Sequence, residues 1–183
     1  YNEVDSLQIG FTEGATFQIQ PITEEKPIVV YGTSICHGAC ASRPGMAWSN
    51  ILERSLNQPV INLGFSGNGR LEPELIDLLS EIEASVYILD CLPNLRSDRD
   101  SVTSLAMQAI LKIREAHPLT PIILTDHPGY ANMNTDLPRK DEVMRLNAAL
   151  TEAFEQAQRD NIPEVYHLTF EALVLHPDSF VDH

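Results

Sequence analysis

Ser34 closes the run Pro27-Ile28-Val29-Val30-Tyr31-Gly32-Thr33-Ser34, where an apolar segment gives way to a glycine turn and continues as Ile35-Cys36-His37-Gly38. A hydroxyl held at a strand end becomes a nucleophile when a base takes its proton and hydrogen-bond donors receive the oxyanion. Ile28 to Tyr31 is β-branched and aromatic without polar alternation, which predicts a strand covered on both faces. Gly32 lets the chain turn, so Ser34 is expected at the carboxyl edge of a sheet, where open α/β sheets hold their sites. The first N–H groups of the following helix would face whatever binds there.

Donors and an orienting acid are sought at other strand ends. The apolar Val60 to Leu63 runs into Gly64-Phe65-Ser66-Gly67-Asn68-Gly69, three glycines in six residues. These read as tight-turn glycines, as a phosphate-cradling nest, or as an approach that lets Gly67 N–H serve an oxyanion. Neither glycine loop carries the Gly-Lys-Ser/Thr ending of a nucleotide loop. In Ile88-Leu89-Asp90-Cys91-Leu92-Pro93-Asn94-Leu95, Pro93 stiffens the loop, and Asn94 is either a fixed amide donor or a helix-capping asparagine. Near the other end of the chain, Asp182 in Phe180-Val181-Asp182-His183 is able to orient a histidine that activates Ser34; by itself it also reads as a solvated terminal acid. His127 lines a pocket or bonds locally. Arg43 meets a substrate carboxylate or holds the nucleophile loop, His37 shapes the rim, and His117 and His167 are expected to be structural.

Positioning these residues requires alternating strands and helices. Strands are predicted at 28–31, 60–63, 86–89, 122–125 and 165–168, with helices at 47–56, 72–82, 102–116 and 140–159. That alternation implies a parallel sheet with helices on both faces. Pro73 suits a first helical turn, and the acids beside it suit the positive end of the helix dipole. The stretch 126–138 is the longest loop on the strand-end face and is expected to cover the site. Before the parallel pattern, 6–20 alternates apolar and polar residues around Glu13-Gly14, which reads as an antiparallel hairpin.

The chain of 183 residues, 43% apolar with a formal charge of −14, has the size and composition of one globular domain. Its acidity argues against binding a phosphate backbone or an anionic membrane surface, so no nucleic-acid partner and no membrane insertion are expected. No apolar run reaches membrane-span length and no signal-peptide pattern is present. The chain opens at Tyr1 without an initiator methionine, as expected of a trimmed or processed form. Three cysteines, at 36, 40 and 91, leave at least one unpaired; Cys36, His37 and Cys40 lack a fourth ligand at a metal-binding spacing and read as free thiols.

Taken in order, the serine, glycine, asparagine and aspartate pieces resemble the SGNH hydrolases, the GDSL-like lipase and acylhydrolase superfamily. Gly32-Thr33-Ser34-Ile35 matches its nucleophile block, with Thr33 where the commoner form has aspartate. Asn62 to Asn68 matches the second block with Gly67 at the oxyanion position, and Leu92-Pro93-Asn94 the third, whose asparagine supplies a side-chain donor. The family's last block reads Asp-x-x-His-Pro, and Val181-Asp182-His183 looks like its opening, so the essential histidine is expected just beyond His183. His176-Pro177 has the right dipeptide but Leu173 in the carboxylate's place, and His183 follows Asp182 directly, off the spacing. The resemblance covers nearly everything from Lys26 to His183. With Ala41-Ser42-Arg43-Pro44-Gly45 it is similar to a bacterial branch that often carries a small β-domain ahead of the hydrolase.

That resemblance implies a three-layer α/β/α sandwich on a flavodoxin-like, parallel five-stranded sheet with a short N-terminal β-hairpin. Residues 26–183 would be a hydrolase domain lacking its C-terminal end, and 1–25 a hairpin left from an upstream β-domain. It implies a serine esterase or acylhydrolase for short-chain esters, acetyl groups on carbohydrates among them, working through an acyl-enzyme without metal or organic cofactor. Ser34 would be the nucleophile, Asp182 would orient the base, and the Ser34 and Gly67 N–H groups with the Asn94 amide would form the oxyanion hole. Two other expectations stand beside it: a non-catalytic carbohydrate- or ligand-binding domain that keeps the pocket, and a flavodoxin-like nucleotide binder.

Overall fold

The five apolar runs pair into one parallel sheet, β1 (Ile28–Gly32), β2 (Val60–Gly64), β3 (Val86–Asp90), β4 (Ile122–Thr125) and β5 (Val165–Leu168), in the order β2-β1-β3-β4-β5. The computed structural model describes residues 5–19, 24–95 and 98–173. This is the flavodoxin-like order, whose direction of winding reverses at β1 and β3 and so opens a crevice above their carboxyl ends. Register makes the crevice floor level, because Gly32 pairs with Gly64 on one side and with Asp90 on the other.

Among the described residues five α-helices cover the sheet: α1 (Ser34–His37), α2 (Trp48–Leu56), α3 (Pro73–Leu79), α4 (Arg99–Ala116) and α5 (Leu137–Arg159). Strand alternation sends Val29, Tyr31, Tyr87, Leu89, Ile122 and Leu124 to one face, where they pack with α3, α4 and α5. On α4 the fully buried residues Val102, Ala106, Ile110 and Ile113 recur at helical spacing, as an apolar stripe facing a core must. Ile28 and Val30 point the other way, onto Cys36, Trp48 and Leu52 of α1 and α2. Layers on both sides complete the three-layer α/β/α sandwich.

Two helices start about a turn earlier than the apolar periodicity predicts, and capping is the cause. Asp98 accepts from Ser101 N at 3.0 Å and Asp136 from Arg139 N at 3.2 Å, which satisfies orphan donors of the first turn before the apolar stripe begins. Conversely, α3 ends at Leu79 rather than near 82. The chain there leaves the helix through a turn, and the Ile82 carbonyl accepts from the Tyr87 hydroxyl.

The N-terminal segment departs from the hairpin expected of it. Its turn is present, with Ala15 N on Thr12 O at 3.0 Å, and the rings of Phe11 and Phe17 stack across it at 5.7 Å. Yet residues 5–19 belong to no strand and are all exposed. An isolated two-stranded hairpin with solvent on both faces has no apolar surface to rest on, and such hairpins are marginal alone.

Candidate active site

Ser34 is the first residue of α1. The Thr33 hydroxyl caps that turn by accepting from Ile35 N at 3.3 Å, and Gly38, with φ of 81°, closes it. Ser34 is half-buried, and its own N–H has no acceptor among the described residues. An amide side chain in the otherwise apolar β2 holds this turn in place. Asn62 Nδ2 donates to Cys36 O at 2.8 Å and to the buried Ser49 Oγ at 2.6 Å, while Asn62 Oδ1 accepts from Gly64 N at 2.9 Å. One side chain thus ties α1, α2 and the end of β2 together. Its signal in the sequence was visible, since a polar residue inside Val60-Ile61-Asn62-Leu63 must find partners once buried, but the partners were not.

The glycine loop lies directly over the nucleophile turn. Phe65 N donates to Gly32 O at 2.9 Å, and a Cβ on Gly69 would stand 2.5 Å from Gly32 C and 3.1 Å from Thr33 N. Asn68 N donates back to Phe65 O at 3.0 Å, Gly67 has φ of 74°, and Ser66 keeps a negative φ. Together these define a type II turn over 65–68. The Gly67 N–H meets no acceptor among the described residues, and a Cβ at that position would meet nothing within 4 Å.

Asn94 ends a 3₁₀ turn over Leu92–Asn94, and its Nδ2 donates to Asn68 O at 2.6 Å. One amide hydrogen is thereby used in pinning the glycine loop and the second is left over. The tertiary structure therefore brings the Ser34 turn, the Gly67 loop and the Asn94 turn into one contiguous edge, where the Ser34 N–H, the Gly67 N–H and the second Asn94 amide hydrogen are unspent among the described residues.

Beneath this edge the electrostatics are unusual. Asp90, level with Gly32, is buried and has no hydrogen-bond or ionic partner among the described residues; burial pushes its carboxyl up to about 7. Burial likewise pushes the Cys36 thiol far up, with the Asp90 charge adding to it, so this thiol stays protonated. On the opposite sheet face the fully buried Tyr31 hydroxyl donates to Glu72, whose carboxylate also accepts from Arg70 N at 2.7 Å. Burial raises the Glu72 carboxyl, but the hydrogen bonds from Tyr31 and Arg70 outweigh it and hold the group below its ordinary range. Burial, Cys91 and Glu72 all push the Tyr31 hydroxyl up, consistent with a neutral donor on a carboxylate. From sequence Glu72 reads only as an acid at a helix start and Arg70 as a surface charge, because their partners appear only when the loop folds.

Three of the described histidines, His127, His167 and His117, are engaged elsewhere. His127 is buried and takes a hydrogen bond from Gly129 N on Nδ1 at 2.9 Å; burial, with Arg139 nearby, lowers it to about 4. It is a neutral ring bonded within its own loop. His167 pairs with Asp126 at 2.8 Å between side chains each 5% exposed, and Asp126 also accepts from Phe170 N. His117 Nε2 lies 2.8 Å from Ser80 O, at the far edge of the sheet. His37 is exposed and follows Ser34 on α1. Asp182, His176 and His183 fall outside the described residues. Cys36, Cys40 and Cys91 form no disulfide, no group of three metal-ligating side chains occurs among the described residues, and no described helix is long and apolar enough to cross a membrane.

Residues 25–183 match the family model of the GDSL-like lipases and acylhydrolases. A Bacteroides ovatus protein described as a GDSL-like lipase superposes with a TM-score of 0.74 at 38% identity, over 78% of this chain and 42% of its own. A salicylyl-acyltransferase from a tetracycline biosynthetic pathway gives a TM-score of 0.74 at 22% identity, over 88% of this chain and 48% of its own. A family two carbohydrate esterase from Clostridium thermocellum, solved with cellohexaose, gives 0.62 at 18% identity, over 82% of this chain and 55% of its own. The last two share the fold. No curated protein matches the sequence. The chain spans about half or less of the length of these solved proteins.

Proposed function

This chain belongs to the GDSL-like lipase/acylhydrolase family, and we propose that it is a serine esterase cleaving short-chain esters, acetyl groups on carbohydrates among them. The observation that carries the reading is the set of three unspent N–H donors gathered beside Ser34. Ser34 Oγ attacks the ester carbonyl carbon while a histidine oriented by Asp182 takes its proton. The carbonyl oxygen becomes an oxyanion that accepts from the N–H groups of Ser34 and Gly67 and from the second amide hydrogen of Asn94. Collapse breaks the ester C–O bond, the histidinium returns its proton to the leaving alcohol, and an acyl-enzyme remains. Water then attacks the acyl carbon by the same route, releasing the acid and restoring Ser34. The resemblance to a carbohydrate esterase supports the carbohydrate alcohol. Residues 26–183 act as the hydrolase domain in this reading, and 1–25 as the tail of an upstream β-domain.

A fluorophosphonate applied to the full-length protein tests the mechanism. The label is expected on the peptide containing Ser34, with nitrophenyl acetate hydrolysis lost in proportion. Hydrolysis that survives complete labelling of Ser34 would reject it. Binding of an acetylated oligosaccharide without turnover would instead mark a carbohydrate-binding domain.

The type II turn makes a separate prediction. Types I and II differ by a flip of the central peptide, here the 66–67 peptide that carries the Gly67 N–H. An alanine at 67 finds open space but pays about 1–2 kcal/mol for a left-handed backbone, enough to favour the flipped turn. Gly67→Ala is expected to lower kcat for nitrophenyl acetate by roughly ten- to a hundredfold, with little change in KM. Steady-state kinetics on the purified variant decide it, and an unchanged kcat would remove Gly67 from the oxyanion site.

A further inference from the structure

The two peptides following Gly67 are tied down, one of them both within the turn and from outside it. Asn68 N is held by Phe65 O, Asn68 O by the Asn94 amide, and Gly67 O by the Arg70 guanidinium, whose Nη2 lies at 2.8 Å. Arg70 is placed for that contact by its own backbone, because Arg70 N donates to Glu72 and Glu72 is anchored by the buried Tyr31 hydroxyl at the end of β1. The segment between carries strain at one residue: Leu71, buried and branched, has φ of 58°, whereas the φ of 69° at Gly69 suits a glycine. Branched residues rarely adopt that conformation, and it persists only where the surroundings impose it. The strained Leu71, the charged brace and the anchor to β1 all converge on one loop, in whose turn the N–H groups of Ser66 and Gly67 meet no acceptor among the described residues.

The geometry points to Arg70 as a positioning residue of the esterase site: anchored through Glu72 and Tyr31, its guanidinium holds the Gly67 carbonyl so that the neighbouring Gly67 N–H stays aimed at the oxyanion. This rests on the esterase reading above. The guanidinium touches no reacting atom in this role. It fixes the 67–68 peptide, one of the two that meet at Gly67, the one residue in the turn whose backbone rotates without steric cost. Such a contact favours the transition state over bound substrate, since the oxyanion exists only there.

Because a single N–H···O bond carries the effect, a lysine that donates to the same carbonyl is expected to replace it, while an alanine is not. In the full-length protein, Arg70→Ala is expected to lower kcat for nitrophenyl acetate by on the order of ten- to a hundredfold, leaving KM within about twofold. Arg70→Lys should recover most of the loss. Amide hydrogen exchange read by mass spectrometry over the peptide containing 65–69 should speed up in Arg70→Ala and return to the wild-type rate in Arg70→Lys, with the melting temperature unchanged in both. A kcat and exchange rate equal to wild type in Arg70→Ala would overturn the proposal. So would a loss expressed in KM with exchange unchanged, since that marks direct substrate contact. So would a loss that follows the melting temperature, since that marks general destabilisation. Should the wild-type protein hydrolyse no ester, the esterase reading fails by itself, and the exchange rates still report whether Arg70 holds the turn.

Discussion

Ser34→Ala is expected to reduce ester hydrolysis by the full-length protein by a factor on the order of 10⁶, the size of loss seen when a triad nucleophile is removed. Neither neighbour in the nucleophile turn can take its place: Thr33 is fully buried and its hydroxyl caps α1, while the thiol of Cys36 is buried beneath the turn and held protonated. Residual turnover somewhat above the buffer rate is expected, because the Gly67 and Asn94 donors remain and polarise a bound ester even without a nucleophile. The substitution should leave the fold intact. The Ser34 hydroxyl makes no hydrogen bond among the described residues, and alanine is a good helix former at the start of α1. The measurement is nitrophenol release followed beside a thermal melt. A variant with a wild-type melt and a wild-type rate would end the acyl-enzyme reading of this site.

Gly64→Ala is the second large effect, and it acts through position rather than chemistry. A Cβ on Gly64 would stand 2.6 Å from His37 Cα and 2.9 Å from Cys36 C, all of it backbone of the one-turn helix that begins with Ser34. Side chains have nothing to yield there, so α1 itself must move away from β2. That movement strains the Asn62 hydrogen bonds to Cys36 O and Ser49 Oγ. Overpacking of this kind costs about 1–3 kcal/mol, a fall in melting temperature of roughly 2–4 °C for each kcal/mol in a domain of this size. A displacement of Ser34 by about 1 Å is worth a further hundredfold in rate. The paired readout separates this glycine from Gly67: substitution at 64 should lower both the melt and kcat, whereas substitution at 67, which faces open space, should act mainly on kcat. A Gly64→Ala protein with an unchanged melt would show that α1 is not seated on β2.

The strands were legible because each is a short apolar run bounded by proline, glycine or polar residues, and a strand buried on both faces needs no more than that. The first three simply run one residue further than the apolar pattern, to Gly32, Gly64 and Asp90, which still fit the ladder. Helix starts were less legible because Asp98 and Asp136 act before any apolar stripe appears. The N-terminal alternation is a real β pattern, but alternation alone provides no neighbouring strand or covering face.

For the site, sequence alone determined which residues stand at strand ends: Ser34 after Tyr31-Gly32, Gly67 after Leu63-Gly64, Asn94 after Leu89-Asp90. That much follows from local periodicity, since burial of each strand depends on its own side chains. Only the tertiary structure decided what these ends do to one another. The order β2-β1-β3 sets segments some thirty residues apart side by side, so Asn94 reaches Asn68, Asn62 reaches Cys36 and Ser49, and the Arg70–Glu72–Tyr31 brace closes over the glycine loop. All of those bonds except the two Arg70 makes to Gly67 and Glu72 join polar groups distant in sequence. No local pattern encodes them, because a hydrogen bond depends on distance and direction between its two atoms, and strand order creates both.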